Sequence, residues 1–244
     1  MSTAAQSLKA RIRSRKLVTA LRTDVALERS QLETALGKGD YDFIYLDGQH
    51  TPFSEAQLVA FCANAEALGL PVQLRLPHTR DAYLAGRYCD LGPASILVPE
   101  VMHEQTVDDA VTFFYYPQQG RRSWGGAARF GIGSQNMDRL AYAAWWNESA
   151  VLGIQLESVE GIINAHQLAR PGVDMVAFGP NDLDFNIEGH PHFPLRTFEA
   201  CIRHVAQQMA DTDIALGLAI VESAGERERY VDMGITVFQE WAKP

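Results

Sequence analysis

The chain has 244 residues, 47% apolar and 21% charged, with a net charge of −9, which supports a sizeable core and excludes a disordered chain. The acidic balance argues against a nucleic-acid surface or an anionic membrane as partner, because either would want a basic face. No apolar stretch reaches the roughly 18–20 residues that span a bilayer, so no membrane segment is expected.

The basic start, MSTAAQSLKARIRSRK, has no apolar segment behind it and reads as a helix over 1–15 rather than a secretory signal. Short β-rich runs then recur at 17–21 (LVTAL), 42–47 (DFIYLD), 72–75 (VQLR), 95–98 (SILV), 151–156 (VLGIQL), 174–178 (DMVAF), 214–220 (IALGLAI) and 235–238 (ITVF). They are nearly all apolar rather than alternating, as parallel strands covered on both faces are. Amphipathic patterns such as SEAQLVAFCANAEALG lie between them, and Gly69, Gly92 and Gly234 fit helix ends ahead of the next strand. Eight strands alternating with helices predict an α/β fold, a single-domain (β/α)8 TIM barrel over 1–244. No GxGxxG follows an early strand, as a doubly wound dinucleotide fold would require. Two long connections, 98–151 and 178–214, contain Pro/Gly-rich segments and read as functional loops. Cys62, Cys89 and Cys201 are widely separated and odd in number, so they read as reduced core residues of a cytoplasmic protein.

In such a barrel, chemistry sits at the C-terminal ends of the strands. Those positions carry Asp47 and His50 after the second strand, Arg75 ending the third, Gln155 and Glu157 at the fifth, and Asp182 beyond the sixth. Glu and Asp on different strands suit a hard divalent cation such as Mg2+ or Mn2+. Arg75 is suited to a substrate carboxylate or a developing oxyanion. Asp47 and His50 have the composition of a general base whose ring is oriented by an acid. Taken singly, each has a plainer reading: Asp182 as a helix N-cap, His50 as a loop contact. Their convergence on one rim favours catalysis. The four lysines, Lys9, Lys16, Lys38 and Lys243, end no inner strand, so a Schiff-base nucleophile is not expected. No Gly-rich phosphate cradle accompanies the last two strands, so a phosphorylated substrate is not indicated.

The blocks DFIYLDGQH, LRLP, ILVPEV, YYPQQGRRSWGG, IQLESVEG and VAFGPNDL, in that order over about residues 31–238, resemble the class II, metal-dependent pyruvate aldolases of the HpcH/HpaI (4-hydroxy-2-oxoheptanedioate aldolase) type. The resemblance implies an aldolase or lyase that joins or cleaves a 2-oxo acid and an aldehyde through a pyruvate enolate. It also implies Glu157 and Asp182 as ligands of Mg2+, Mn2+ or Co2+, and Arg75 as the group holding the pyruvate oxygen. His50 with Asp47 becomes the base pair, and Gln155, Gly179 and Asn181 face the pyruvate. An oxaloacetate-type decarboxylase or another carbon–carbon bond-forming step on the same site is the first alternative, and a non-catalytic binding barrel the second. Three departures stand out, the first being that the family's Gly/Trp-containing first-strand region is here only LVTALRTDVALERS. Gln49 occupies a position where the family commonly has Glu, and after the eighth strand only QEWAKP remains, so the closing C-terminal helix is expected to be absent. In relatives that helix packs on neighbouring subunits of trimers and hexamers, so a homo-oligomer is implied by the resemblance but lacks that contact. Arg121 and Arg122 read as an interface salt bridge or a second carboxylate site, and Trp145 and Trp146 as packing on the barrel exterior or at a subunit contact.

Overall fold

The β-rich runs pair as parallel neighbours because each is apolar on both faces and each is returned to the same end of the sheet by a crossover. The structure, a computed structural model, describes residues 7–219 and 224–242. Its strands are β1 (Val18–Thr23), β2 (Phe43–Asp47), β3 (Val72–Arg75), β4 (Ser95–Val98), β5 (Val151–Leu156), β6 (Met175–Phe178), β7 (Ala215–Ala219) and β8 (Ile235–Trp241). They form a closed barrel in sequence order, with β8 pairing back onto β1. The expected (β/α)8 barrel is present, and the strand positions between its two ends agree within a residue. At the ends, β1 continues past 21 to Thr23 and β8 past 238 to Trp241. The parallel β1–β8 ladder carries both onward, from Val18 opposite Val237 to Arg22 opposite Trp241. Closure pairs two polar strand tails that no local pattern announces. Residue 220 of the expected seventh strand, and residues 1–6 of the expected N-terminal helix, lie outside the described residues. No helix follows β8 among the described residues.

Strand alternation sorts the side chains into two cores. Val18, Ala20, Phe43, Tyr45, Leu97, Val151, Met175, Ala177, Ala215 and Val237 fill the barrel interior with Ile12, while a larger apolar cluster lies between sheet and helices. Met175 spans the interior because its neighbours are small. A Cβ on Gly153 would stand 2.8 Å from Met175 Cγ, and one on Gly217 2.8 Å from Met175 Cε. Carried upward two residues at a time, three of these interior series become polar, Ala20 to Arg22, Tyr45 to Asp47 and Val237 to Gln239, while Ala177 leads to Gly179. One end of the lumen is thus apolar and the other chemically equipped.

The N-terminal end is closed by the helix Leu8–Arg13, whose Ser7 hydroxyl accepts from the Ala10 N–H. Ile12 enters the interior cluster. Lys9 Nζ donates to Tyr115 Oη (2.9 Å) and the Asn147 carbonyl (3.0 Å). Asp174, fully buried, accepts from Arg13 Nε (2.7 Å), Tyr115 Oη (3.1 Å) and the Leu152 N–H (2.9 Å), with Lys9 Nζ at 3.4 Å. Gly69, Gly92 and Gly234 have φ of 81°, 120° and 98° ahead of β3, β4 and β8, as the reading of helix ends expects.

Candidate active site at the C-terminal mouth

The stretch that ends β2 is shaped by a close backbone approach. Gly48 N–H donates to the Arg75 carbonyl at 3.0 Å, and a Cβ at Gly48 would lie 2.5 Å from that oxygen, so only glycine lets the chain turn against β3 here. The turn brings the N–H groups of Gln49 and His50 onto Asp47 Oδ1, at 3.0 and 3.3 Å. Asp47 stands opposite Arg75 in the β2–β3 register. Arg75 donates to it through both Nε (2.9 Å) and Nη2 (2.5 Å), the bidentate geometry that guanidinium and carboxylate share. Arg22 Nη2 adds a third guanidinium bond at 3.1 Å. Burial pushes the Asp47 pKa up, but the hydrogen bonds and charge of Arg75 and the two N–H groups outweigh it, leaving the carboxyl below its ordinary value. The link from Asp47 to His50 therefore runs through the backbone N–H. The expected orientation of the imidazole by the acid is not a hydrogen bond among the described residues. The His50 side chain is exposed on the rim.

Across the mouth, Glu157 is 5% exposed. Its Oε1 accepts from the Glu100 N–H (2.7 Å) and its Oε2 from Gln155 Nε2 (2.7 Å). Glu100 reaches this position with φ of 52°, a left-handed conformation that a non-glycine residue rarely adopts. Burial raises Glu157 to about 7 against the pull of the Glu100 N–H and Arg75, with Asp182 adding further upward push. Gly179 covers Glu157 without a side chain: a Cβ there would approach Glu157 Oε2 well inside 3.0 Å. Asp182 is exposed in the first turn of the helix Pro180–Gly189, and Gly179 is that helix's N-cap.

A cavity of about 120 Å3 lies between these groups, lined among others by Arg22, Tyr45, His50, Arg75, Gln155, Gly179, Asn181, Asp182 and Gln239. Six of the eight residues singled out in the sequence line it, while Asp47 and Glu157 stand behind the wall. Arg22, Tyr45, Glu100 and Gln239 were not singled out. The interior alternation is the signal for three of them, since Arg22 and Gln239 each lie two residues beyond an apolar interior position and Tyr45 two after Phe43. Two amide oxygens facing this region, Gln155 Oε1 and Gln239 Oε1, are buried without a partner. A larger cavity, about 380 Å3, borders the N-terminal helix and is lined by Leu8, Phe130 and Trp145. It holds none of the candidate residues.

The other candidates fall elsewhere. Arg122 is buried and donates to Asp90 at 2.7 Å within the same chain, so for Arg122 the expected choice between interface and carboxylate site gives way to an internal pair, while Arg121 is exposed. Trp146 is fully buried, with its Nε1 donating to the Phe114 carbonyl at 3.0 Å. His190 and His192 are exposed, and no group of three or more His, Cys, Asp or Glu forms a metal site among the described residues. The pair Glu157 and Asp182 nevertheless fits a divalent cation. Both are hard oxygen donors, Glu157 is a buried carboxylate beside another carboxylate, and glycine at position 179 sets no side chain against its Oε2. Water and substrate oxygens complete such a site.

A model of the HpcH/HpaI aldolase/citrate lyase family matches residues 25–236. The 5-keto-4-deoxy-D-glucarate aldolase of Shigella boydii serotype 18 (strain CDC 3083-94 / BS512) is 28% identical over 206 residues, covering 82% of this chain and 77% of that protein. Among solved structures, the HpcH/HpaI aldolase from Desulfitobacterium hafniense DCB-2 superposes with a TM-score of 0.82 at 21% identity, over 98% of this chain and 91% of that one. Macrophomate synthase superposes with a TM-score of 0.77 at 21% identity, over 96% and 83%. At these identities the structural likeness shows the fold alone. The family match is the one the sequence motifs lead to.

Proposed function

We propose that this chain, which belongs to the HpcH/HpaI aldolase/citrate lyase family and is a carbon–carbon lyase, uses the C-terminal mouth to join or cleave a 2-oxo acid and an aldehyde through a pyruvate enolate. A divalent cation (Mg2+, Mn2+ or Co2+) held by Glu157 and Asp182 supplies Lewis acidity toward the oxygens of the 2-oxo acid. Gln155 and the backbone N–H groups of Asn181 and Asp182, at a helix N-terminus, orient the substrate's carboxylate. His50 takes the proton from the methyl carbon. Arg75, fixed by its two bonds to Asp47, keeps positive charge beside the oxygen that becomes negative. The enolate carbon then forms the new bond to the aldehyde carbon, the carbonyl electron pair moves to oxygen, and that oxygen takes up a proton. Retro-aldol cleavage runs these transfers in reverse.

The observation that carries this reading is the facing arrangement of Arg75, locked on Asp47, and the buried Glu157 beneath Gly179. The test is deuterium exchange at the pyruvate methyl group, followed by proton NMR with Mg2+ or Mn2+ and again with excess EDTA. Metal-dependent exchange that falls at least 100-fold in both Glu157→Gln and Arg75→Met is expected. A folded, metal-loaded protein that exchanges nothing would overturn the reading.

A further inference from the structure

The cavity of about 380 Å3 beside the N-terminal helix lies at the end of the barrel opposite the mouth. Four of the residues around it, Asp42, Pro71, Ala94 and Ala150, each immediately precede a strand, β2 to β5. Protein interiors leave few voids larger than a water molecule, so a space of this size is no packing defect, and it falls in the range of small-molecule sites. Its aromatic wall is fixed in advance. Phe130 and Trp145 stack with ring centroids 6.1 Å apart and planes 19° apart, and Tyr142 lies against Trp145 at 5.4 Å. Gly131, at φ 75°, lets the chain pass close to the Trp145 ring, where a Cβ would stand 2.6 Å from Cη2. Such a wall takes an aromatic ring by face or edge contact. The polar side is an ion pair: Arg11 Nη1 meets Asp42 Oδ1, and Asp42 Oδ2 accepts the Thr19 N–H at 2.8 Å. Both members keep accessible surface, the Arg11 side chain being 33% exposed and that of Asp42 19%. The second contact of Arg11, Nη2 to the Leu17 carbonyl, is long at 3.5 Å, so the guanidinium has N–H groups to spare for a ligand. A lone anion placed here meets Asp42, and a lone cation meets Arg11. A zwitterion that sets its carboxylate on Arg11 and its ammonium on Asp42 complements both.

The geometry points to a binding site for an aromatic α-amino acid at the N-terminal end of the barrel, with the ring against Phe130 and Trp145, the carboxylate on Arg11 and the ammonium on Asp42. The site shares no residue with the C-terminal mouth, and its test does not depend on the enolate chemistry. Ring and head group are both required: the aromatic wall alone would hold any apolar molecule, and the ion pair alone any amino acid.

The experiment is isothermal titration of the full chain with L-phenylalanine, 3-phenylpropionate, phenethylamine and L-alanine, which remove the ammonium, the carboxylate and the ring in turn. L-Phenylalanine is expected to bind once per chain with a Kd below about 1 mM, and each of the other three at least tenfold more weakly. Ser149→Trp, which fills the cavity from its half-buried edge, should weaken L-phenylalanine at least tenfold with the circular dichroism unchanged. Arg11→Met should weaken L-phenylalanine at least tenfold and leave phenethylamine no weaker, a split that a general loosening of the helix would not give. A wild-type Kd for L-phenylalanine above about 1 mM overturns the site, as does wild-type affinity retained in a folded Ser149→Trp. L-Alanine or 3-phenylpropionate binding as tightly as L-phenylalanine overturns the assignment of the ligand, because ring or ammonium then contributes nothing.

Discussion

Asp47 illustrates how one carboxylate sets the charge state of a mouth. It neutralises part of two guanidiniums and accepts two N–H groups from its own turn. Replacing it with Asn leaves Arg75 buried with its counter-charge gone, a loss of about 3–5 kcal/mol for a broken buried pair. Denaturant unfolding of Asp47→Asn checks this value, and pyruvate exchange in the same variant should fall more than 100-fold. Because the folded pKa of Asp47 lies below its ordinary value, its contribution is present above the ordinary carboxylate range and is lost as pH falls through the lowered value. Gly179 makes the complementary prediction. Its torsion is unexceptional, φ −100°, so Gly179→Ala suffers no backbone strain but drives a methyl group into Glu157 Oε2. Titration with Mn2+ should show at least 10-fold weaker binding with the fold intact by circular dichroism.

At the scale of elements, the N-terminal helix acts as a plug fastened by charge. Lys9 is 6% exposed and its pKa is lowered by burial despite the opposing pull of Asp174. It stays in place because Asp174, Tyr115 and the Asn147 carbonyl surround it. Asp174→Ala leaves Lys9 and Arg13 without their shared acceptor, and the Leu152 N–H unpaired at the base of β5. A destabilisation of about 3–5 kcal/mol is expected, read as a shift in urea midpoint. Double substitution with Lys9→Met should recover part of it, because a methionine removes the buried charge while keeping most of the volume. Enolate chemistry at the opposite end of the barrel should change little at temperatures where the variant is folded.

For the whole molecule, the site and the stability curve are coupled through Glu157. Its pKa of about 7, against an ordinary 4.5, means that the metal-free fold prefers the neutral acid. This preference amounts to roughly 3 kcal/mol. The sign follows from linkage: with the folded pKa raised, the associated stability is present below about pH 4.5 and is lost as pH rises through about 7. On the proposed function, a divalent cation would bind the ionised form and restore what ionisation removed. Thermal unfolding at saturating Mg2+ or Mn2+ should therefore gain more at pH 8 than at pH 5.5, and Glu157→Gln should abolish that difference. No helix among the described residues is long and apolar enough to cross a membrane.

Runs such as FIYLD and VLGIQL determined by themselves that the chain forms parallel strands, because a run apolar on both faces finds cover only between helices and neighbouring strands. The blocks around Asp47, His50, Arg75, Glu157 and Asp182 also made most of the rim legible, since strand ends are where a barrel puts its polar residues. What the sequence left open depends on closure. Arg22 and Gln239 belong to the mouth only because β8 returns to β1 and their ladder extends both strands, a contact between residues more than 200 positions apart. Whether Asp47 bonds His50's ring or Arg75's guanidinium is likewise decided by the register that sets it opposite Arg75 and by Gly48 pressing the chain against β3. Local pattern specifies which residues face inward; only the closed barrel specifies which of them meet, because hydrogen bonds act over about 3 Å between atoms that the sequence keeps far apart.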